Sequence, residues 1–199
     1  PIYRKKESDR NAPLASRMRP RSLDQFIGQQ HLLGHGRVFR RSIESDQIPS
    51  MILWGPPGSG KTSLAFLIAN LTKSNFDFVS AVTSGVGDLR KIIENARERL
   101  ALYSQRTVLF VDEIHRFNKA QQDVILPHVE EGIVTFIGAT TENPSFEVIA
   151  PLLSRCRVFP LKPLDDEEIR DIVVRAMHDN EHGIGALSVR LSKEALDYL

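Results

Sequence analysis

The chain has 199 residues, of which 41% are apolar and 26% charged. That length suits one α/β domain, or one domain and the start of a second, and the composition excludes wholesale disorder, collagen-like repeats and a coiled coil. Net charge is +1, no apolar run approaches the ~20 residues of a bilayer span, and Arg4, Lys5 and Lys6 precede no apolar stretch of the kind a secretory signal needs. The single cysteine, Cys156, cannot close an intramolecular disulfide. That fits a reducing compartment, and the expected location is cytoplasmic, with nucleoid association in a bacterium and no membrane partner.

Charge is unevenly placed. Residues 1–21 carry a balance of +5 and the remainder −4. A basic, apolar-poor arm over residues 1–20 reads either as a contact for nucleic-acid phosphates or as a solvated tail. Residues 1–13 read as a poorly ordered lead-in. From Ser22 the pattern becomes amphipathic, with Leu23, Phe26 and Ile27 on one face before Gly28. Met51–Trp54 is a short apolar run that suits a buried strand, and Ser63–Leu71 has helical spacing. Phe76–Val82 reads as a strand, Leu89–Leu102 as an amphipathic helix, and Thr107–Val111 as the clearest buried strand. Gln121–Glu130 reads as a helix, Val134–Ala139 as a strand, and Val158–Leu161 as a last short strand. Alternating strands and helices predict a five-stranded parallel sheet covered on both faces. The expected core domain is residues 21–163. Beyond it, Asp165 with Glu168 forms a capping-box start for a helix to about Asn180, Gly183 and Gly185 mark a loop, and Ser192 opens another helix still running at Leu199.

Gly55-Pro56-Pro57-Gly58-Ser59-Gly60-Lys61-Thr62 fits G-x-x-x-x-G-K-[ST] at every fixed position, between a predicted strand and a helix that takes in Ser63. Glycines let the backbone wrap a phosphate chain with its N–H groups inward, and the helix start adds the positive end of its dipole. Lys61 is expected at the β and γ phosphates of ATP, and Thr62 at Mg²⁺. Val108-Leu109-Phe110-Val111-Asp112-Glu113 then places two carboxylates at the C-terminal end of a core strand. Asp112 is expected to join Thr62 in holding Mg²⁺, and Glu113 to orient and deprotonate the attacking water. The polar run Thr140-Thr141-Glu142-Asn143-Pro144 is either a γ-phosphate or lytic-water contact or a plain turn. Arg155 and Arg157 are either donors to a neighbouring subunit's phosphate or surface arginines. His115 has no second His or Cys at ligand spacing, which favours packing or coupling to DNA binding over a metal site. Trp54 reads as packing.

These segments resemble the AAA+ ATPases, and most closely the replication-associated recombination protein A family, related to the Werner-helicase-interacting ATPase. The resemblance rests on Pro13–Pro20, Phe26–Gln29, Ile52–Gly58, Ser80–Val86, Asp112–Lys119 and Gly138–Phe146, and spans about residues 12–165. It implies a three-layer P-loop AAA+ fold followed by the start of a helical lid at 164–199. It implies that Ile27 and Gly28 bed the adenine, that Thr141 is the sensor-1 residue with Asn143 the competitor, and that Arg155 in Ser154-Arg155-Cys156 is an arginine finger, with Arg157 the fallback. Family members are DNA-dependent ATPases of stalled forks and single-strand/double-strand junctions. They assemble as homo-oligomers, and some bacterial relatives are linked to single-strand-binding protein. The family continues into a lid carrying a sensor-2 arginine and an oligomerisation domain. A stretch without these is expected to keep its nucleotide contacts but to assemble poorly and hydrolyse slowly. Two alternatives remain: a clamp-loader-like nucleotide-switched loader or scaffold, and a Holliday-junction branch-migration ATPase. No aromatic-hydrophobic-glycine pore loop of a protein unfoldase is visible.

Overall fold

The structure, a computed structural model, describes residues 12–72, 74–187, 189–192 and 195. Most of the basic arm and most of the helix expected from Ser192 lie outside the described residues. Within them, no helix is long and apolar enough to cross a membrane.

The chain divides into two compact units, one spanning Gln29–Pro163 and one formed by the flanks up to Gly28 and from Leu164 on. The first is built on β1 (Met51–Trp54), β2 (Asn75–Ser80), β3 (Thr107–Asp112), β4 (Val134–Thr140) and β5 (Arg157–Pro160). Their order is β2-β3-β4-β1-β5, and every pairing is parallel. In β3, Val108, Leu109, Phe110 and Val111 are all buried. A strand covered on both faces has no polar side to alternate with, hence its continuous apolar sequence. Edge strand β5 is mostly exposed.

Helices supply both covers. The flank of α1 (Leu14–Arg17) belongs to the other unit, while α2 (Gln30–Leu33) and α3 (Val38–Glu44) open this one. α4 (Lys61–Leu71) follows β1, α5 (Val86–Tyr103) follows β2, and α6 (Lys119–Glu130) follows β3 through a 3₁₀ turn, Ile114–Arg116. Two short helices, α7 (Pro144–Glu147) and α8 (Ala150–Leu153), lead into β5. On one face, Ile52, Leu109, Val111 and Phe136 join Leu89 of α5 and Ile125 of α6 in a continuous core. Strand alternation turns Phe110 to the other face, where it meets Phe76 and Phe78 with ring centroids 6.0 and 5.6 Å away. Phe66 of α4 closes that cluster, 5.2 Å from Phe76. α3 packs on the far edge through Phe39, stacked on Phe159 of β5 at 4.0 Å.

Parallel register lines up the strand ends. Trp54 pairs with Thr140, Ser80 with Asp112, and Val111 with Gly138. The residues that follow β1, β3 and β4 therefore emerge along one edge of the sheet, where open α/β sheets place their ligands.

In the flanking unit, Leu23 and Phe26 are buried around a 3₁₀ turn, Leu23–Gln25. Helix α9 (Asp166–His178) starts at the expected capping box, in which Asp165 Oδ1 accepts from Glu168 N–H at 2.8 Å and Glu168 Oε2 from Asp165 N–H at 3.0 Å. Arg175 ties this helix to the carbonyl of Gln25 at 2.7 Å. Gly28 has φ +83° and lies against the side chain of Leu164.

Candidate nucleotide site

The loop from Gly55 to Thr62 is a direct continuation of β1. Gly55 N–H donates to Thr140 O at 3.1 Å, extending the β1–β4 ladder by one bond. A Cβ at Gly55 would stand 2.4 Å from the carbonyl oxygen of Leu161, so no side chain fits there. At the other end of the loop Gly60 has φ +90° and serves as the N-cap of α4, with no side chain to satisfy the helix's first donors. The first helical bond is Leu64 N–H to Gly60 O at 2.8 Å. The N–H groups of Lys61, Thr62 and Ser63 precede it at the positive end of an 11-residue helix. Pro57 and Gly58 are exposed at the tip, whereas Ser59 is fully buried and its Oγ has no partner among the described residues.

Lys61 folds back on the loop. Its Nζ donates to Gly55 O at 2.7 Å and to Pro56 O at 2.8 Å. Burial holds its pKa below the usual lysine value, against the opposing pull of the Asp112 and Glu113 charges. Thr62 Oγ1 donates to Asp112 Oδ2 at 3.4 Å. Burial pushes the Asp112 carboxyl above its ordinary range, and the Glu113 charge adds to this; the Glu113 backbone N–H, the Thr62 hydroxyl and Lys61 pull the other way. Glu113 is exposed and left-handed, with φ +55°. A non-glycine residue pays about 1–2 kcal/mol for that backbone. It is held there because Glu113 O accepts from Arg116 N–H at 2.8 Å and Ile114, the next residue, is fully buried. The result is a carboxylate turned off the end of β3 beside a carboxylate that stays on it.

This donor set fits a magnesium nucleotide. Two hard oxygens, from Thr62 and Asp112, stand with the start of α4, whose first N–H groups have no intrahelical partner. No group of three or more His, Cys, Asp or Glu side chains that could cage a metal exists among the described residues. Magnesium bound by one or two protein oxygens, with water and phosphate completing its octahedron, needs no such cage.

At the end of β4, Thr140 is buried, and its Oγ1 accepts from Glu142 N–H at 3.0 Å. His115 Nδ1 lies 3.1 Å from the same oxygen, so the turn after β3 and the segment after β4 are joined by a hydrogen bond. Thr141 is exposed immediately beyond. Asn143 is also exposed, and its Oδ1 accepts from Ser145 N–H at 3.0 Å, capping α7. Ile27 and Gly28 belong to the flanking unit.

The arginines stand elsewhere. Arg155 is ion-paired with Glu130 of α6, and its Nη1 donates to Pro151 O at 3.0 Å and Ser154 Oγ at 2.9 Å. Arg157 sits opposite Met51, at the N-terminal end of β1. The phosphate loop leaves the other end, about 10 Å along the strand at ~3.3 Å per residue. Neither arginine is brought to this chain's own loop.

One residue at the loop closes the family-like segment Phe26–Gln29 but carries no role in the sequence. Gln29 is buried, and its side chain donates to Ser59 O at 3.2 Å. The family-like segment marks the position, but neither periodicity nor spacing gives the glutamine a partner at the loop.

The family profile described as Holliday junction DNA helicase RuvB P-loop domain matches residues 18–149. Replication-associated recombination protein A of Escherichia coli (strain K12) is 54% identical over 182 residues, covering 92% of this chain and 40% of the relative. The protein of that name from Haemophilus influenzae is 50% identical, covering 94% and 42%. ATPase WRNIP1 of Dictyostelium discoideum is 48% identical, covering 83% and 19%. Among solved structures, the Thermotoga maritima RuvB Holliday junction branch migration motor superimposes with a TM-score of 0.69 at 31% identity, covering 91% of this chain and 58% of that one. The chain thus spans about 40% of the length of the recombination proteins it matches. With its five-stranded parallel sheet and its phosphate loop, the chain belongs to the AAA+ ATPases of the RuvB P-loop domain family, and its sequence sides with the relatives named Replication-associated recombination protein A.

Proposed function

We propose that this ATPase domain hydrolyses ATP to drive remodelling of DNA at stalled forks or single-strand/double-strand junctions. The observation that carries the reading is the convergence of Lys61, Thr62, Asp112 and Glu113 at the C-terminal edge of the sheet, in a chain half identical to replication-associated recombination proteins. In this reading the loop N–H groups bind the phosphates, and Lys61 exchanges the Gly55 and Pro56 carbonyls for phosphate oxygens. Thr62 and Asp112 hold Mg²⁺, which supplies charge neutralisation at the β and γ phosphates. Glu113 orients and deprotonates the water for in-line attack. Thr141, with Asn143 as the alternative, bonds the γ phosphate, and Ile27 and Gly28 bed the adenine. Arg155 serves the site of a neighbouring copy, in a homo-oligomer that acts on DNA and has single-strand-binding protein as a candidate partner.

Steady-state ATP hydrolysis by the full-length protein, alone and with single-stranded, duplex and gapped DNA, tests this. Turnover is expected to rise with single-strand/double-strand junctions. Glu113→Gln is expected to keep ATP binding and to lower turnover by about 10²–10⁴-fold, and Lys61→Ala to weaken binding itself. Wild-type turnover in the glutamine variant would overturn the role of Glu113. The match to the RuvB profile favours a second reading, branch migration, which four-way junctions stimulating more than gapped DNA would select. Turnover indifferent to every DNA would instead point to a nucleotide-switched loader.

A further inference from the structure

Gln29 opens the Gln29–Pro163 unit, so the chain crosses between the two units beside it and again after Pro163. The residue is 4% exposed, and its side-chain amide bonds three backbone groups. Nε2 donates to Ser59 O at 3.2 Å and to Lys162 O at 2.7 Å, while Oε1 accepts from Lys162 N–H at 2.9 Å. Only an amide serves these three partners together: two carbonyls need a nitrogen with two hydrogens, and one N–H needs an oxygen. The backbone of Gln29 is left-handed, with φ +58°, and its own carbonyl accepts from Leu32 and Leu33 N–H, both at 2.9 Å, at the start of α2. A strained backbone is thus fixed by a helix on one side and aims an amide with both donors and its oxygen engaged to the other.

The effect on the phosphate loop follows from peptide planarity. In a trans peptide the C=O and the next N–H point in opposite directions. Holding Ser59 C=O on Gln29 turns the Gly60 N–H the other way, away from Gln29, and Gly60, with φ +90°, can otherwise rotate freely. The second arm of the amide grips both polar groups of Lys162, one residue before Pro163. We propose that Gln29 is a positioning residue that locks the Ser59–Gly60 peptide in its phosphate-binding orientation and links occupancy of the loop to the backbone at Lys162, where the chain passes into the flanking unit. The proposal rests on the nucleotide reading above and adds to it a residue whose side chain bonds the chain's own backbone at Ser59 and Lys162.

The test uses Trp54, the sole tryptophan, which directly precedes Gly55. Its fluorescence is titrated with ADP and with inorganic pyrophosphate in wild type, Gln29→Met and Gln29→Glu, with thermal unfolding as the check on folding. Gln29→Met removes both donors at similar size, and is expected to lower affinity for both ligands about tenfold. Pyrophosphate has no adenine, so an equal loss for both places the effect on the phosphate arm. Gln29→Glu at pH 8 sets a carboxylate against two carbonyls and is expected to bind more weakly still. Its affinity relative to wild type should recover toward pH 5, where a protonated carboxyl regains one donor; the methionine variant should show no such recovery. Amide hydrogen exchange at Lys162 should slow on adding ADP in wild type and lose that response in Gln29→Met. Wild-type affinity in both variants, equal losses at every pH, or a Lys162 exchange rate blind to ADP would overturn the coupling while leaving the nucleotide reading intact. Wild type that binds no ADP would overturn that reading, and the coupling with it.

Discussion

Lys61 and Asp112 are both held in environments that disfavour their charges: burial pulls the lysine down and pushes the aspartate up. Under the proposed nucleotide reading the partners of such groups arrive with the ligand, and the free protein is less stable for their absence. The sign of the effect can be worked out for each group. A carboxyl with a raised folded-state pKa destabilises the native state once ionised, so the penalty is absent below the ordinary value of 3.8 and complete above the folded value. A lysine with a lowered pKa carries its penalty below the folded value and loses it as pH rises through 10.5. Asp112→Asn is therefore expected to raise the unfolding temperature of the ligand-free protein at neutral pH by about 1–3 °C, discounting for solvent access. That gain should shrink as pH falls toward 3.8, where the wild-type carboxyl is itself protonated. A calorimetric pH series checks it, and an equal or lower midpoint at neutral pH would count against the burial argument. The motif residues here are legible in the sequence because one contiguous loop and one strand end carry them. Gln29 stands in a family-like segment, but its role is not legible, because its partners lie 30 and 133 residues away.

Long elements follow from their own periodicity. Met51–Trp54 matches its expected span, and α4, α5 and α6 start two or three residues earlier than their apolar spacing suggests, because caps and first turns are polar. β2 stops at Ser80 rather than Val82: Ala81 N–H still bonds Asp112 O at 3.1 Å, but Val82 is left exposed. Helices of four to seven residues, α2, α3, α7 and α8, leave too little periodicity to register and exist through tertiary packing. The start of α6 is a capping box that spacing alone could have revealed. Asn118 Oδ1 accepts from Gln121 N–H, and Gln121 Oε1 from Asn118 N–H, both at 2.9 Å. Gln121 Nε2 also reaches Ser84 O at 2.9 Å, tying the loop after β2 to this helix. Asn118→Ala is expected to lower stability by about 1 kcal/mol, with the midpoint falling by about 2–4 °C. An unchanged midpoint in thermal unfolding would show that the cap is redundant.

For the whole molecule, strand order decides what can meet. β1 lies between β4 and β5, so its C-terminal end carries the phosphate loop while its N-terminal end faces Arg157. Arg155, two residues earlier and paired with Glu130, belongs to that far end. If it completes an active site, that site lies on another copy. Arg155→Ala and Glu113→Gln proteins should then each be inactive alone yet recover ATP turnover when mixed, since the alanine subunit keeps its Glu113 and the glutamine subunit supplies Arg155. A mixture as inactive as its parts, or full activity in Arg155→Ala alone, would remove the finger from the mechanism.

Read alone, the amino-acid order carries the local features: a phosphate-loop motif ahead of a helix, two carboxylates after a buried strand, and apolar runs that alternate with amphipathic ones. Each is local, set by residues a few positions apart, and each predicts the same α/β class. The tertiary structure alone decided which strand ends lie side by side, that His115 joins the segments after β3 and β4 through Thr140, that Arg155 pairs with Glu130 of α6, and that Gln29 holds the loop by its backbone. Those facts depend on register and crossover in a parallel sheet, where neighbours in space are separated by whole helices in sequence, and no periodicity of a single segment encodes them.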